Sequence, residues 1–334
     1  NADALNRLIY EFVAAIEKKE LELWQQGKRI SLELLKNMLT TQENNSSFIS
    51  FFKQEVTNSS LKNSTKRNHL STLMLLQEFK KDITFSDLTF EFVSSFEYFL
   101  QLKGYHTNTI AKHMKHLKRH VNIAINKEYI EIQKYAFRKY KIKTVENKHT
   151  HLVPEELEKL EKLNLSGRYI KLQKSLDAFL FCCYAGMRYS DFTNLSSENI
   201  VDINQETWLI YKSVKTGTEV RLPLYLLFAG KGIIILNKYR DNLEGFFRLR
   251  DNSNVNKDLL TLAKLAGLSK NISFHTARHT NATLLIYNGV NITTVQKLLG
   301  HKSVKTTQVY TNIMDMTIIH DLEKMKQATP FAGK

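Results

Sequence analysis

The chain has 334 residues, with 48 Lys+Arg against 33 Asp+Glu and a formal charge of +15. A composition of 43% hydrophobic and 24% charged residues excludes a disordered polyelectrolyte and a small disulfide scaffold, and the length suits two or three domains. Twelve Gly and three Pro leave few breakers, so helix should dominate, and the adjacent Cys182 and Cys183, set in an apolar run, read as unbridged core thiols of a reducing compartment.

In chain order, Leu5, Leu8, Ile9, Phe12, Val13 and Ile16 form one helical stripe and Leu32–Leu39 a second. Residues 1–44 carry a net charge of −1, and the chain opens at Asn1 rather than Met, as expected of a fragment whose upstream part has been removed. A helical bundle is expected over 45–140, from Phe48–Val56, Ser64–Lys80, Thr89–Leu102 and a helix starting near Thr107. In that last helix Ile110, Met114, Leu117, Val121 and Ala124 recur at steps of 4 and 3, a buried face. Lys112, Lys115, His116, Lys118 and Arg119 then fall on the remaining surface. Phe92, Phe96 and Phe99 read as core. Residues 103–148 hold 12 basic and 3 acidic side chains, a surplus dense enough to favour a polyanion partner over a merely solvated face.

From Arg138 the pattern decays into a basic stretch containing Lys141 and Lys143, read as an interdomain linker over 141–153. Pro154 opens the next domain, expected over 154–328. A strand over Thr207–Lys212, a turn at Thr216-Gly217 and a return over Thr218–Leu224 make a hairpin with Lys215 near its tip. Helices are expected over Lys231–Asn242, Asn256–Ala266, His275–Asn288 and Thr293–Leu299, the last two closed by Gly289 and Gly300. After Tyr310, Met314, Ile318, Leu322 and Met325 form a short amphipathic tail. The fold class is therefore mainly α with a small β-hairpin or sheet insertion.

Arginine is scarce, 12 residues against 36 lysines, which draws attention to the contexts of two of them. Arg188 lies in Ala185-Gly186-Met187-Arg188, three residues before Asp191. Arg278 follows His275 by three, so on a helix they share a face. Leu299-Gly300-His301 follows, then Thr306-Thr307-x-x-Tyr310. In this order and spacing, with Lys215 between the first two boxes, the set resembles the tyrosine recombinases, or phage-type integrases. The style of the chain is similar to integrases of Bacteroides-type mobile elements. Two departures, Ala185 where the family usually has Thr and Asp191 where Glu is commoner, keep a small residue and a carboxylate.

The chemistry suits these residues independently. Attack on a phosphodiester passes through a crowded dianionic phosphorane, whose oxygens two permanently charged, bidentate guanidiniums can hold. The resemblance implies Arg188 and Arg278 in that role, His275 and His301 as hydrogen-bond and proton-transfer partners, and Tyr310 as nucleophile forming a 3′-phosphotyrosyl bond. It further implies Lys215 as the acid for the departing 5′-oxygen, with Lys212 close enough to compete, and Asp191 orienting Arg188.

His275 and His279 at i and i+4 superficially match a zinc helix, but no Glu lies between them and no third ligand is evident, so no metal or other cofactor is expected. His279 reads as a structural residue packing or hydrogen-bonding beside Arg278. The resemblance implies a site-specific DNA recombinase with a helical core-binding domain and a mostly helical catalytic domain, independent of metal and ATP. It would integrate or excise a mobile element, be cytoplasmic and nucleoid-associated, and have double-stranded DNA and no membrane as partner. On DNA a tetramer is expected through exchange of the tail helix, with a monomer when free. Lys112, Lys115, Lys118, Arg119, Lys141 and Lys143 are the expected DNA contacts. A type IB topoisomerase and a non-catalytic DNA-binding protein with a vestigial site are the competing readings.

Overall fold

The computed structural model describes residues 2–25, 47–146 and 149–310. The chain divides into two compact units, 1–146 and 147–334. It is mainly helical with one three-stranded antiparallel sheet, as the sequence predicts.

In the first unit, helix α1 (Ala2–Gln25) exposes Leu5, Ile9 and Val13 of the expected stripe; the second stripe, 32–39, lies outside the described residues. Helix α2 (Phe48–Asn58) starts where the Ser47 hydroxyl accepts a bond from the Ser50 amide. Helix α3 (Asn63–Phe79) follows, and α4 (Phe90–Leu102) starts where Thr89 accepts from the Phe92 amide. Helix α5 (Thr107–Asn126) buries its predicted stripe, Ile110, Met114, Leu117, Val121 and Ala124, against Phe48, Phe52, Leu76, Phe96 and Leu100.

One expectation for α5 is corrected. His116 does not lie on the basic surface: its ring stacks on His69 with centroids 4.0 Å apart, and its Nδ1 bonds Thr72 Oγ1 at 2.8 Å. His113 and His120 are buried beside it. The face that α5 packs is thus wider than its aliphatic stripe, and the extra width is filled with imidazoles, which present apolar ring faces while Thr72 satisfies a ring nitrogen. Beyond α5, Tyr140 donates to Glu97 at 2.6 Å, Ile142 packs on the same core, and Asn108 holds Val145 through two bonds of 2.8 and 3.0 Å. Residues 140–145 therefore run along the first unit.

In the second unit, Leu152 is fully buried, and α6 (Pro154–Glu161) begins at Pro154, whose missing N–H costs nothing in a first turn. Helix α7 (Gln173–Ala185) is buried from Ser175 to its end and carries Cys182 and Cys183 as free, fully buried thiols. Short helix α8 (Tyr189–Phe192) leads into the sheet, β1 (Ile200–Ile203), β2 (Glu206–Lys212) and β3 (Glu219–Pro223), ordered β1-β2-β3. Leu209 faces Leu222 and Tyr211 faces Val220, and these four alternate residues form its buried side.

The hairpin was legible; β1 was not. Its turn uses Asn204 and Gln205, both at positive φ, 53° and 66°, instead of the Asn-Gly pair that advertises such a turn. Helix α9 (Lys231–Lys238) also stops short of the expected Asn242. That residue instead caps α10 (Leu243–Phe247), its side chain accepting from the Gly245 amide at 2.8 Å. Helices α11 (Asn252–Leu265), α12 (Phe274–Tyr287), α13 (Ile292–Leu299) and α14 (Lys305–Gln308) complete the unit. Helix α12 packs on α7, with Asn281 Nδ2 donating to the carbonyls of Cys183 and Tyr184, both at 3.0 Å. The tail stripe, 314–325, lies outside the described residues.

Candidate active site

Arg278, on α12, is 1% exposed and is the largest fully buried side chain among the described residues. Its Nη1 donates to the Gly186 carbonyl at 2.8 Å and its Nη2 to the Leu299 carbonyl at 2.5 Å. Gly186 caps α7 and Leu299 ends α13, so the guanidinium is strung between two helix C-termini, where unpaired carbonyls and the negative end of the helix dipole suit a cation. Among the described residues no carboxylate lies within ion-pair distance of it. Burial, then the charge of Arg188, lower its pKa to about 10.

Arg188 stands at the N-cap of α8. Its Nη1 is 3.4 Å from Asp191 Oδ2 and 3.3 Å from Ser213 Oγ. Asp191, 1% exposed, also accepts from the Val214 amide at 2.9 Å. One buried carboxylate thus fastens the Arg188 box to the turn between β2 and β3. On the other side of that turn, Thr216 Oγ1 donates to the Gly300 carbonyl at 3.3 Å. Lys215 lies between these two tethers. Lys215 and Lys212 are both exposed, and it is the charge of Lys215 that bears on His275 and His301.

His301 follows the left-handed Gly300 and is 8% exposed; its Nδ1 bonds Thr307 Oγ1 at 2.9 Å, leaving Nε2 as its open edge. Burial, then Arg278 and Arg188, lower its pKa to about 3. His275 presents an exposed side chain on α12. Desolvation of its ring, then the same two arginines, lower its pKa to about 4. Both imidazoles are therefore neutral near pH 7. Tyr310 is 5% exposed; burial raises its pKa, and Arg278 and Arg188 pull it back toward ionisation. Mutual electrostatic interactions thus connect Arg188, Lys215, His275, Arg278, His301 and Tyr310, drawn from five chain segments.

Two further side chains belong to this site: Tyr211, to which the sequence gives no role, and His279, expected only to pack or hydrogen-bond beside Arg278. His279 Nδ1 lies 3.0 Å from Tyr310 Oη, so the residue taken as structural touches the phenol itself. Tyr211 Oη is buried without a hydrogen-bond partner, within the fields of Asp191, Arg278 and Arg188. Nothing distinguished Tyr211 from any inward strand residue. His279 offered only its place next to Arg278.

Chemically, two guanidiniums, two neutral imidazoles and a phenol make a cluster that attracts an oxyanion and offers it an oxygen nucleophile. Among the described residues no group of three or more His, Cys, Asp or Glu side chains is placed to hold a metal ion, and no helix is long and apolar enough to cross a membrane. In the first unit, Lys112, Lys115 and Arg119 are exposed along α5, while Lys118 is half-buried with its Nζ 5.9 Å from the Phe137 ring centroid. Lys115, Lys118, Arg119 and Asn122 line a shallow depression of about 410 Å³, and Lys141 and Lys143 are exposed beyond it.

The model of the phage integrase family matches residues 152–316, and that of the phage integrase SAM-like domain matches residues 47–142. The chain belongs to the phage integrase family. This phage integrase-family chain is 31% identical over 185 residues to a tyrosine recombinase of Pseudothermotoga lettingae, covering 53% of this chain and 60% of that relative. It is 26% identical over 271 residues to the tyrosine recombinase XerD of Oceanobacillus iheyensis, covering 75% of this chain and 86% of the relative. Its fold is similar to that of lambda integrase in a tetramer bound to a Holliday junction, with a TM-score of 0.65 at 19% identity, covering 89% of this chain and 85% of the other.

Proposed function

We propose that this chain is a site-specific DNA recombinase that cleaves and rejoins strands through a 3′-phosphotyrosyl intermediate, in the integration or excision of a mobile element of the Bacteroides type. The observation that carries this reading is the pair of arginines. Arg278 is buried with no carboxylate partner among the described residues and shares its surroundings with Arg188, and both charges act on Tyr310. Burying like charges together is costly unless an anion completes the site. A scissile phosphate supplies that anion beside the phenol that attacks it.

In this scheme Tyr310 Oη attacks phosphorus while Arg188 and Arg278 hold the non-bridging oxygens, with His275 and the Nε2 edge of His301 as further donors. Lys215, held between the Val214 and Thr216 tethers, protonates the leaving 5′-oxygen, and Asp191 keeps Arg188 in register. The phosphotyrosyl bond keeps the phosphodiester free energy, so rejoining is the reverse reaction and needs no ATP. Lys112, Lys115, Lys118, Arg119, Lys141 and Lys143 track the DNA backbone. The domains follow as a coupling segment over 1–44, a core-binding bundle over 45–140, a linker over 141–153 and a catalytic domain over 154–328. Four protomers assemble on DNA by exchanging the segment after Tyr310, and the protein is nucleoid-associated.

The test is a nicked duplex bearing the attachment sequence that flanks the coding region. A nick next to the scissile bond lets the cleaved fragment escape and traps the covalent adduct. Wild-type protein should accumulate that adduct and Tyr310→Phe none; no adduct with wild-type protein would end the enzyme reading.

A further inference from the structure

We infer that His279 Nδ1 takes the phenolic proton of Tyr310 as that residue becomes a nucleophile. The inference rests on the recombinase reading and deepens it, since that scheme uses His275 and His301 as donors to the phosphate and assigns no base to the attacking phenol. Geometry comes first for a general base: it must lie within hydrogen-bond reach of the proton it removes. Among the described residues, the side chain bonded to Tyr310 Oη is His279, at 3.0 Å, and neither His275 nor His301 bonds it. His301 has its Nδ1 committed to Thr307.

The imidazole is also held in place. Its ring stacks on His149, centroids 4.4 Å apart and planes at 28°, and meets His275 edge-on at 4.5 Å. It is 8% exposed, so bulk water does not compete for the phenol. The groups facing it are His275 and Arg278 on its own helix, His149 and His151 from the segment before α6, and Tyr310. Burial, then His275, His149 and Arg278, hold its pKa to about 3, so at working pH the ring is neutral and has a lone pair to offer. A bound phosphodiester brings negative charge to the same place, and more develops in the transition state. It offsets the positive field of Arg278 and makes a protonated His279 affordable at that moment.

The step balances. The Oη–P bond forms as the P–O5′ bond breaks; the phenolic proton passes to Nδ1, and the 5′-oxygen leaves as a hydroxyl with a proton from Lys215. Rejoining returns each proton to its source. Sequence reading missed the pair because 31 residues separate its members and their meeting depends on where the chain after α14 comes to rest.

The experiment uses the full chain and the nicked attachment-site duplex, in single turnover across pH 6 to 9. Adduct formation by wild-type protein, lost in Tyr310→Phe, scores the recombinase reading separately. His279→Asn places an amide oxygen near the position of Nδ1, keeping an acceptor for the phenol without a base. It should bind the duplex as wild type does and cleave about 100-fold more slowly at pH 7. Its rate should climb about tenfold per pH unit, as solvent must now ionise Tyr310, where the wild-type profile is flat. A 5′-bridging phosphorothiolate, whose sulfur leaves without an acid, should restore Lys215→Ala and leave His279→Asn slow. The proposal is overturned by a His279→Asn rate within about threefold of wild type, by a slow but flat profile, or by rescue of His279→Asn with the phosphorothiolate.

Discussion

Gly186 sits at φ 66°, and a methyl group on its Cα would meet Asn281 Oδ1 at 2.6 Å and Leu299 Cδ2 at 2.8 Å. Gly300 sits at φ 61°, where the same methyl would meet Val220 Cγ2 at 2.7 Å. Both carry the left-handed conformation that closes a helix, and both lie where Arg278 is anchored, one through its own carbonyl and one beside the Leu299 carbonyl. Gly186→Ala therefore combines backbone strain with displacement of Asn281, whose two bonds tie α12 to the end of α7. We expect a loss of about 2–4 kcal/mol in the stability of the second unit, measured by denaturant unfolding, and a larger fractional loss of adduct formation than of DNA binding. Gly217→Ala is the control: at φ 69° it shares the strain, but nothing lies within 4 Å of its added methyl, so about 1 kcal/mol is expected.

At the scale of elements, the contact between α3 and α5 is an unusual packing layer. His69, His113, His116 and His120 meet there, His120 stacked on Phe52 with centroids 3.6 Å apart. Burial is the first cause in lowering all four pKa values, His113 and His120 to about 4 and His116 to about 3. Lys112 and Arg119 add to the shifts, and Glu55 opposes that of His120. Because the folded values lie below the unfolded value near 6.5, the unfolded chain binds protons that the folded bundle refuses. Stability from this layer is then complete above about pH 6.5 and is lost as pH falls toward 4. The thermal midpoint of the bundle, followed by hydrogen exchange of the α5 amides, should fall between pH 7 and 5. Replacing His116 and His120 by Phe, which keeps the rings, should flatten that fall.

At the scale of the whole molecule, the +15 charge is unevenly spread. Residues 103–148 hold a surplus of +9, and much of it stands exposed along α5 and in the segment after it. Phosphate neutralisation by such a face releases condensed counterions, so the test is thermodynamic. Neutralising Lys115 and Arg119 together, as Lys115→Gln with Arg119→Gln, should reduce the slope of log affinity against log salt by roughly 1–2 units in DNA titrations. An unchanged slope would mean that the two side chains are merely solvated.

The sequence by itself determined what depends on near neighbours along the chain. The stripe of α5, the caps at Ser47 and Thr89, and the strand alternation of Leu209 and Tyr211 are all set by the 3.6- and 2-residue periods and by local hydrogen bonds. Order and spacing likewise picked out Arg188, Arg278 and Tyr310, because each sits in a distinctive local motif. Only tertiary packing decided which groups meet across long stretches of chain. It turned His116 inward to Thr72, paired β1 through a turn without glycine, strung Arg278 between two helix ends, and set His279 against Tyr310. The physical reason is that a side chain's face follows from its own helix or strand, whereas its partner follows from where the other elements come to rest.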